Sequence, residues 1–160
     1  MEFFLMAVME RYPAVKGTLF ELPLTARTAQ EQIASSPFSQ SVTVVEGDVL
    51  LDDIPYGHDA VILANIIHLF SPETNNLLLN RIRKAVSVGA RLLVVDFWTD
   101  VTHTEPVFAA LMADEFQIFT GEGDVCSVEE INDWLAMNQW SLVAHQPLAG
   151  AASLVIAEAI

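Results

Sequence analysis

Between Asp59 and Phe70 the chain reads DAVILANIIHLF. Seven apolar residues and one asparagine run from Ala60 to Ile67, with an acid before them and a histidine after. The first half is rich in Val, Ile and Leu and is too short for most helices. It reads as a strand buried on both faces, the kind that lies inside a parallel sheet. In open α/β sheets, ligands bind beyond the carboxyl ends of the strands. Asn65 and His68 fall at that edge, which makes it the candidate site.

The flanking segments supply the rest of such a sheet. Residues 2–12 place Phe4, Leu5, Val8 and Met9 at helical spacing, and Pro13 ends the helix. GTLFELP, starting at Gly17, is a short strand closed by Glu21 and a proline, and Thr25 can cap a helix through about Ala34. Val42 to Glu46 is a second strand, running into Gly47-Asp48 and an acidic loop. After the central strand, Ser71-Pro72-Glu73 is a helix start: a capping oxygen, a proline suited to the first turn, and an acid at the positive dipole end. Gly89 is expected to end that helix. RLLVVD, from Arg91 to Asp96, is another buried strand. Thr104 to about Phe119 reads as a helix, GEGD as a turn, and Ser127 with Glu130 as a capping box for a helix over 128–137. Trp140 to His145 and Ser153 to Ala157 close the chain as an antiparallel hairpin. This alternation predicts one α/β domain over residues 1–160: a Rossmann-like, mostly parallel sheet, helices on both faces and an antiparallel hairpin at one edge.

Charge narrows the partners. Seven Lys and Arg stand against 21 Asp and Glu, a formal net charge of -14. Such a chain repels phosphate backbones and anionic membrane surfaces, so neither nucleic acid nor membrane is expected. No apolar run reaches the ~18 residues that span a bilayer. The single cysteine, Cys126, rules out an intrachain disulfide and a cysteine metal cluster, and a reducing cytoplasm is the expected compartment. The histidines have no metal-ligand spacing, so no metal is expected. The hydrophobic fraction of 52% suits a sheet covered on both sides, or a surface that meets a partner.

The ordered set GTLFELP, VVEGDVL, DAVILANIIHLFSPE and GARLLVVD resembles the C-terminal catalytic domain of class I S-adenosylmethionine-dependent O-methyltransferases. The nearer subgroup is the one acting on small phenolic or polyketide-like acceptors. The resemblance implies S-adenosylmethionine as cofactor and a small hydroxylated acceptor as substrate. It implies that Glu21 binds the ribose hydroxyls, that Asp48 approaches the adenine amino group with Val49 beside the ring, and that Asn65 belongs to the same cofactor set. It further implies His68 as general base, Asp96 as the acid that orients it, and Met112 and Phe116 as lining of the acceptor pocket. Glu21, Asp48 and His68 are then expected to meet at one rim of the sheet. Each has a plainer reading: a solvated strand end, an ordinary Gly-Asp turn, and a histidine hydrogen-bonded in a core.

The family pattern begins with a strand and a glycine-rich turn. Here Met1-Glu2-Phe3-Phe4 falls where that turn hands over to the first helix, so the domain reads as truncated at its N-terminus. Beyond His68 the chain has Leu-Phe where the family has an acid and Trp, and around Cys126 it has GDVCS where the family commonly has Arg and Glu. Without the first strand, two sheet edges are left with unpaired backbone groups. Two function classes are consistent with these residues. One is a small-molecule O-methyltransferase; the other is an inactive relative that self-associates as a homo-oligomer or binds another small apolar ligand.

Overall fold

The computed structural model describes residues 2–160, with side chains described from Phe4 onward. The expected hand-over at Met1 lies outside the described residues. The chain forms two compact units, residues 1–56 and 57–160.

In the first unit, α1 (Glu2–Arg11) leads to β1 (Gly17–Glu21), α2 (Pro23–Ala34) and β2 (Val42–Glu46). The two strands pair in parallel, Gly17 opposite Val42 and Glu21 opposite Glu46. Met9, Leu19, Ala29, Ile33 and Val42 form the core, with Leu5, Met6, Val15, Phe38 and Val44 packed against it. Helix α2 starts two residues before the expected Thr25 cap: Pro23 occupies its first turn, and Leu22 takes the cap position without a side-chain bond. Proline's preset φ and missing N–H make it a sufficient starter.

The second unit carries β3 (Ala60–Ala64), a 3-10 turn (Ile67–Leu69), α3 (Pro72–Ala85), β4 (Arg91–Asp96), α4 (Val107–Thr120), α5 (Val128–Met137), β5 (Trp140–Pro147) and β6 (Ser153–Ala159). Its sheet has the order β3-β4-β6-β5. The β3–β4 pairing is parallel, and β6 runs antiparallel to both β4 and β5. The terminal pair is therefore the expected hairpin, with β6 against β4. Strands β4 and β6 are each enclosed between two neighbours, and in β4 Leu92, Val94, Val95 and Asp96 are buried. Strand β3 is buried at Leu63 and Ala64, while Ala60 is exposed. The burial expected of β3 is more extensive along β4, where four of six residues are buried, because β3 has one strand neighbour in this sheet and β4 has two.

Local chemistry explains the helix limits. Ser71 caps α3 by accepting from the Thr74 N–H, as its sequence requires. The helix stops at Ala85, four residues before Gly89, where Arg83 donates to the carbonyls of Val86, Gln139 and Ile160. Helix α4 begins at Val107 rather than Thr104. The Asp100 carboxylate accepts from the N–H groups of Thr104 and Glu105 and from the Thr102 hydroxyl, tying 100–105 into a turn. Those bonds, led by the one from Thr102, hold the Asp100 pKa down at about 2. Gly121, at φ 81°, ends α4 in the left-handed conformation that glycine adopts without strain. The capping box of Ser127 and Glu130 on α5 has both its bonds.

The core of this unit gathers Leu78, Leu79 and Ile82 of α3, Leu92 and Val94 of β4, Ile131 and Leu135 of α5, Trp140 of β5 and Val155 of β6.

Candidate active site

The site in the second unit grows from the carboxyl ends of β3 and β4. Their register sets Ala64 opposite Val95, and the Asn65 N–H extends it by donating to the Val95 carbonyl at 2.9 Å. Asn65 has φ 55°, a left-handed conformation that asparagine tolerates better than most residues. It turns the chain out of the strand and into the 3-10 turn that carries His68. Asn75, buried on α3, locks this turn by donating from Nδ2 to the carbonyls of Ile67 (2.9 Å) and Phe70 (3.1 Å).

His68 Nδ1 lies 2.7 Å from Asp96 Oδ1, and both side chains are buried, His68 to 6% and Asp96 to 1% exposure. Asp96 is itself oriented by the Phe97 N–H, which donates to the same oxygen at 3.0 Å. A carboxylate can only accept, so the proton of this bond sits on Nδ1. The other ring nitrogen, Nε2, then presents a lone pair, and among the described residues it has no protein partner. Asp96 Oδ2 is buried without a partner, a state that native structures reserve for few groups.

An aromatic wall fixes the ring plane. Phe116 stacks on His68 at 3.9 Å between centroids and 13° between planes. Phe97 stacks at 5.2 Å and 10°, and Phe108 meets Phe97 edge-on at 5.8 Å. Met112 lies one helical turn before Phe116 and is half-buried. Phe119, at the same spacing as core residues, is exposed.

In the first unit, Glu21 ends β1 and Asp48 comes after β2, both at the carboxyl end of the parallel pair. The Gly47 N–H donates to the Glu21 carbonyl at 2.9 Å, bringing the 47–48 turn beside Glu21. Asp48 Oδ1 accepts from the Leu50 N–H, while the Asp48 N–H donates to Asp52 Oδ2, both at 2.8 Å. Asp52, in the acidic loop, thus braces this turn. Val49 is half-buried within it. Two carboxylates and an apolar side chain at one strand end suit a ribose diol and an adenine amine, which offer donors and a flat apolar ring.

Residues 3–140 match the model of a protein family described as the O-methyltransferase domain. The chain belongs to the O-methyltransferase domain family. It is 27% identical over 153 residues to the S-adenosyl-L-methionine-dependent methyl transferase PigF of a Serratia species, covering 95% of this chain and 44% of that protein. It is 30% identical over 131 residues to 3-hydroxy-5-methyl-1-naphthoate 3-O-methyltransferase of Streptomyces sahachiroi, covering 82% of this chain and 38% of that one. Among solved structures, an O-methyltransferase family 2 protein from Planctomyces limnophilus in complex with apigenin superposes with a TM-score of 0.92 at 25% identity, over 98% of this chain and 46% of that one. The chain thus spans less than half the length of these relatives. The cofactor that goes with this family is S-adenosylmethionine; PigF has also been solved with SAH.

Within this O-methyltransferase domain, three residues near His68 escaped the sequence reading. Phe97 was signalled only by its place after Asp96, and Asn75 looked like any polar helix residue. Gly123 was visible only as part of a turn. A Cβ at Gly123 would stand 2.6 Å from the His68 carbonyl oxygen, 2.7 Å from Thr120 Oγ1 and 3.0 Å from Phe116 Cβ. The first is backbone and cannot swing away. Gly123→Ala is therefore expected to lose about 1–3 kcal/mol of stability, as overpacking does, and to shift the His68 ring signals in NMR spectra. An unchanged urea midpoint with unchanged ring signals would show that the loop has room.

Cys126 is buried. Desolvation, then the charges of Glu130 and Asp96, push its thiol pKa well above the ordinary value, so it stays protonated. The helix start beside it does not offset that burial, and the thiol is not set up as a nucleophile. Glu122, in the GEGD turn, braces α3, accepting from the Thr74 hydroxyl at 3.1 Å and the Ser71 N–H at 3.4 Å. Among the described residues, no group of three His, Cys, Asp or Glu is placed to hold a metal ion. No helix among them is long and apolar enough to cross a membrane.

Proposed function

We propose that the chain is the catalytic part of an S-adenosylmethionine-dependent O-methyltransferase acting on a small hydroxylated aromatic acceptor. The observation that carries this reading is the His68–Asp96 pair, with Nδ1 committed to the carboxylate and Nε2 left to take a proton. When bound, the cofactor supplies an electrophilic sulfonium methyl group. His68 Nε2 withdraws the acceptor's hydroxyl proton as the oxygen is methylated, and Asp96 stands beside the positive charge the imidazole gains. Phe116 and Phe97 hold the imidazole plane, and with Met112 they offer an aromatic acceptor an apolar wall. In the first unit, Glu21 would accept from the ribose hydroxyls and Asp48 from the adenine amino group, with Val49 as an apolar partner for the ring; in the second, Asn65 at the end of β3 would be a further cofactor residue. The hydroxynaphthoate in one relative's name and the apigenin bound in another's structure support a small aromatic substrate.

Calorimetry with S-adenosylhomocysteine tests the cofactor assignment. The expected result is saturable binding that Glu21→Ala weakens about tenfold or more, the worth of one charge-assisted bond pair. Binding equal in the two proteins removes Glu21 from the cofactor site.

A second reading is self-association without catalysis. Helix α4 favours it: Val107, Phe108, Leu111, Ile118 and Phe119 are all more than half exposed, while Ala109 alone on the helix is fully buried. Light scattering after size exclusion is expected to give a dimer that Ile118→Glu converts to monomer. A wild-type monomer at all concentrations removes this reading.

A further inference from the structure

A general base has to carry the charge it gains. Burial works against that charge, and at 6% exposure His68 has little water beside it to solvate an imidazolium. Asp96 compensates at one edge of the ring, 2.7 Å from Nδ1. The aromatic rings around His68 supply a second source of negative potential, and their geometry shows which of them does so.

Phe97 and Phe116 both lie nearly parallel to the imidazole, at 10° and 13°. If they covered opposite faces, their centroids would be separated by nearly the two distances to His68 laid end to end. They are 5.8 Å apart, scarcely more than the 5.2 Å from Phe97 to His68. Phe97 is therefore displaced sideways, towards the plane of the imidazole. Phe116, at 3.9 Å, lies over its face. The face of a phenyl ring is negative and its edge positive, so it attracts a cation that sits over the face within ~6 Å of the centroid. Of the two rings, Phe116 meets that condition.

The chain holds Phe116 in this place. The Thr120 hydroxyl donates to the Phe116 carbonyl at 3.0 Å and accepts from the Gly123 N–H at 2.7 Å. Gly123 in turn leaves no room for a methyl group between the His68 carbonyl and Phe116 Cβ. One short loop thus sets the backbone of His68 and the side chain of Phe116 against each other. Among the described residues, Asp96 is the one charged group bonded to the imidazole. Cys126, on the segment before α5, stays protonated, and Asp114 and Glu115, beside Phe116 on α4, are exposed.

We propose that Phe116 stabilises the protonated form of His68 through a cation–π contact, which makes it a positioning residue acting through the base as well as part of the acceptor wall. Its part in turnover rests on the methyl-transfer reading; the contact itself does not.

Replacement of Phe116 by 4-fluoro- and 3,4,5-trifluorophenylalanine, with Phe116→Leu beside them, tests this. Fluorine drains negative charge from the ring face and nearly keeps its shape. The His68 ring NMR signals are followed against pH, and kcat and KM are measured with a phenolic acceptor. Loss of the contact removes support from the protonated form, so the pH at the midpoint of the His68 signals should fall. The expected fall grows with each step of fluorination and reaches about half a pH unit or more for the trifluoro ring and for Phe116→Leu. The acid limb of the kcat profile should move with it, and the plateau kcat should drop about twofold or more as the base weakens. If Phe116→Leu does not fold, the fluorinated proteins still decide. A midpoint that stays the same across the fluorinated series, with or without a rise in KM, would overturn the proposal and leave Phe116 as a wall alone. A parent that transfers no methyl group would remove the methyl-transfer reading, and the midpoint series would then decide the contact by itself.

Discussion

His68→Gln is expected to lower kcat for methyl transfer to a phenolic acceptor by about 10²–10⁴-fold, the usual worth of a positioned general base. S-adenosylhomocysteine affinity should stay within about twofold, since the change removes a base and leaves Glu21 and Asp48 untouched. Glutamine is the informative substitution. Asp96 is buried, and deleting its partner outright would strand a carboxylate in the interior and confuse catalysis with folding. The glutamine amide retains a donor for Asp96 Oδ1 while losing the basic nitrogen. Asp96→Asn asks the complementary question. An asparagine can donate to Nδ1, which favours the tautomer with its proton on Nε2 and silences the base without removing it. A comparable loss in both variants is expected. If His68→Gln keeps kcat within about threefold of the parent, proton removal at this position is not part of the reaction.

Trp140→Ala should be the most damaging single change to the fold of residues 57–160, costing about 3–5 kcal/mol. Domains of this kind have only about 5–15 kcal/mol in total. Trp140 is 1% exposed, pairs with Ala159 at the edge of the sheet, and donates from Nε1 to the Leu79 carbonyl at 3.2 Å. It thus joins β5, β6 and α3 in one contact. Alanine would leave a cavity bounded by strands and helices that cannot collapse independently. Trp140→Phe keeps most of the ring and gives up the hydrogen bond, for about 1 kcal/mol. Urea unfolding should resolve the series as midpoints falling in the order parent, Phe, Ala, with unchanged slopes. A Trp140→Ala midpoint shift worth less than about 1 kcal/mol would mean that the site repacks.

The elements legible in the sequence are those whose causes lie within a few residues. RLLVVD carries its own burial and β-branching, and β4 occupies those six residues. Ser71 before Pro72, and Ser127 three before Glu130, bring capping groups and their N–H partners into reach by the helix geometry itself, and both caps form. The terminal strands need only a short connection to meet, and they do. Misplaced limits have causes further along the chain. Asp100 captures N–H groups at 104 and 105 and delays α4, and Arg83 reaches the carbonyls of Gln139 and Ile160 beyond the end of α3.

The site divides in the same way. The histidine after β3, and the acids after β1 and β2, could be named from their positions, because within each parallel pair the strands deliver the residues that follow them to the same end of that pair. The chemistry of His68 could not be read there. Its proton placement depends on an aspartate 28 residues away, its plane on Phe116 and Phe97, and its backbone on a glycine with no room for a methyl group. Sequence alone determined which side chains stand at strand ends, since periodicity and capping are local. Tertiary structure decided which of them touch, because contacts between distant residues are set by strand register and helix packing, which no short stretch of chain encodes.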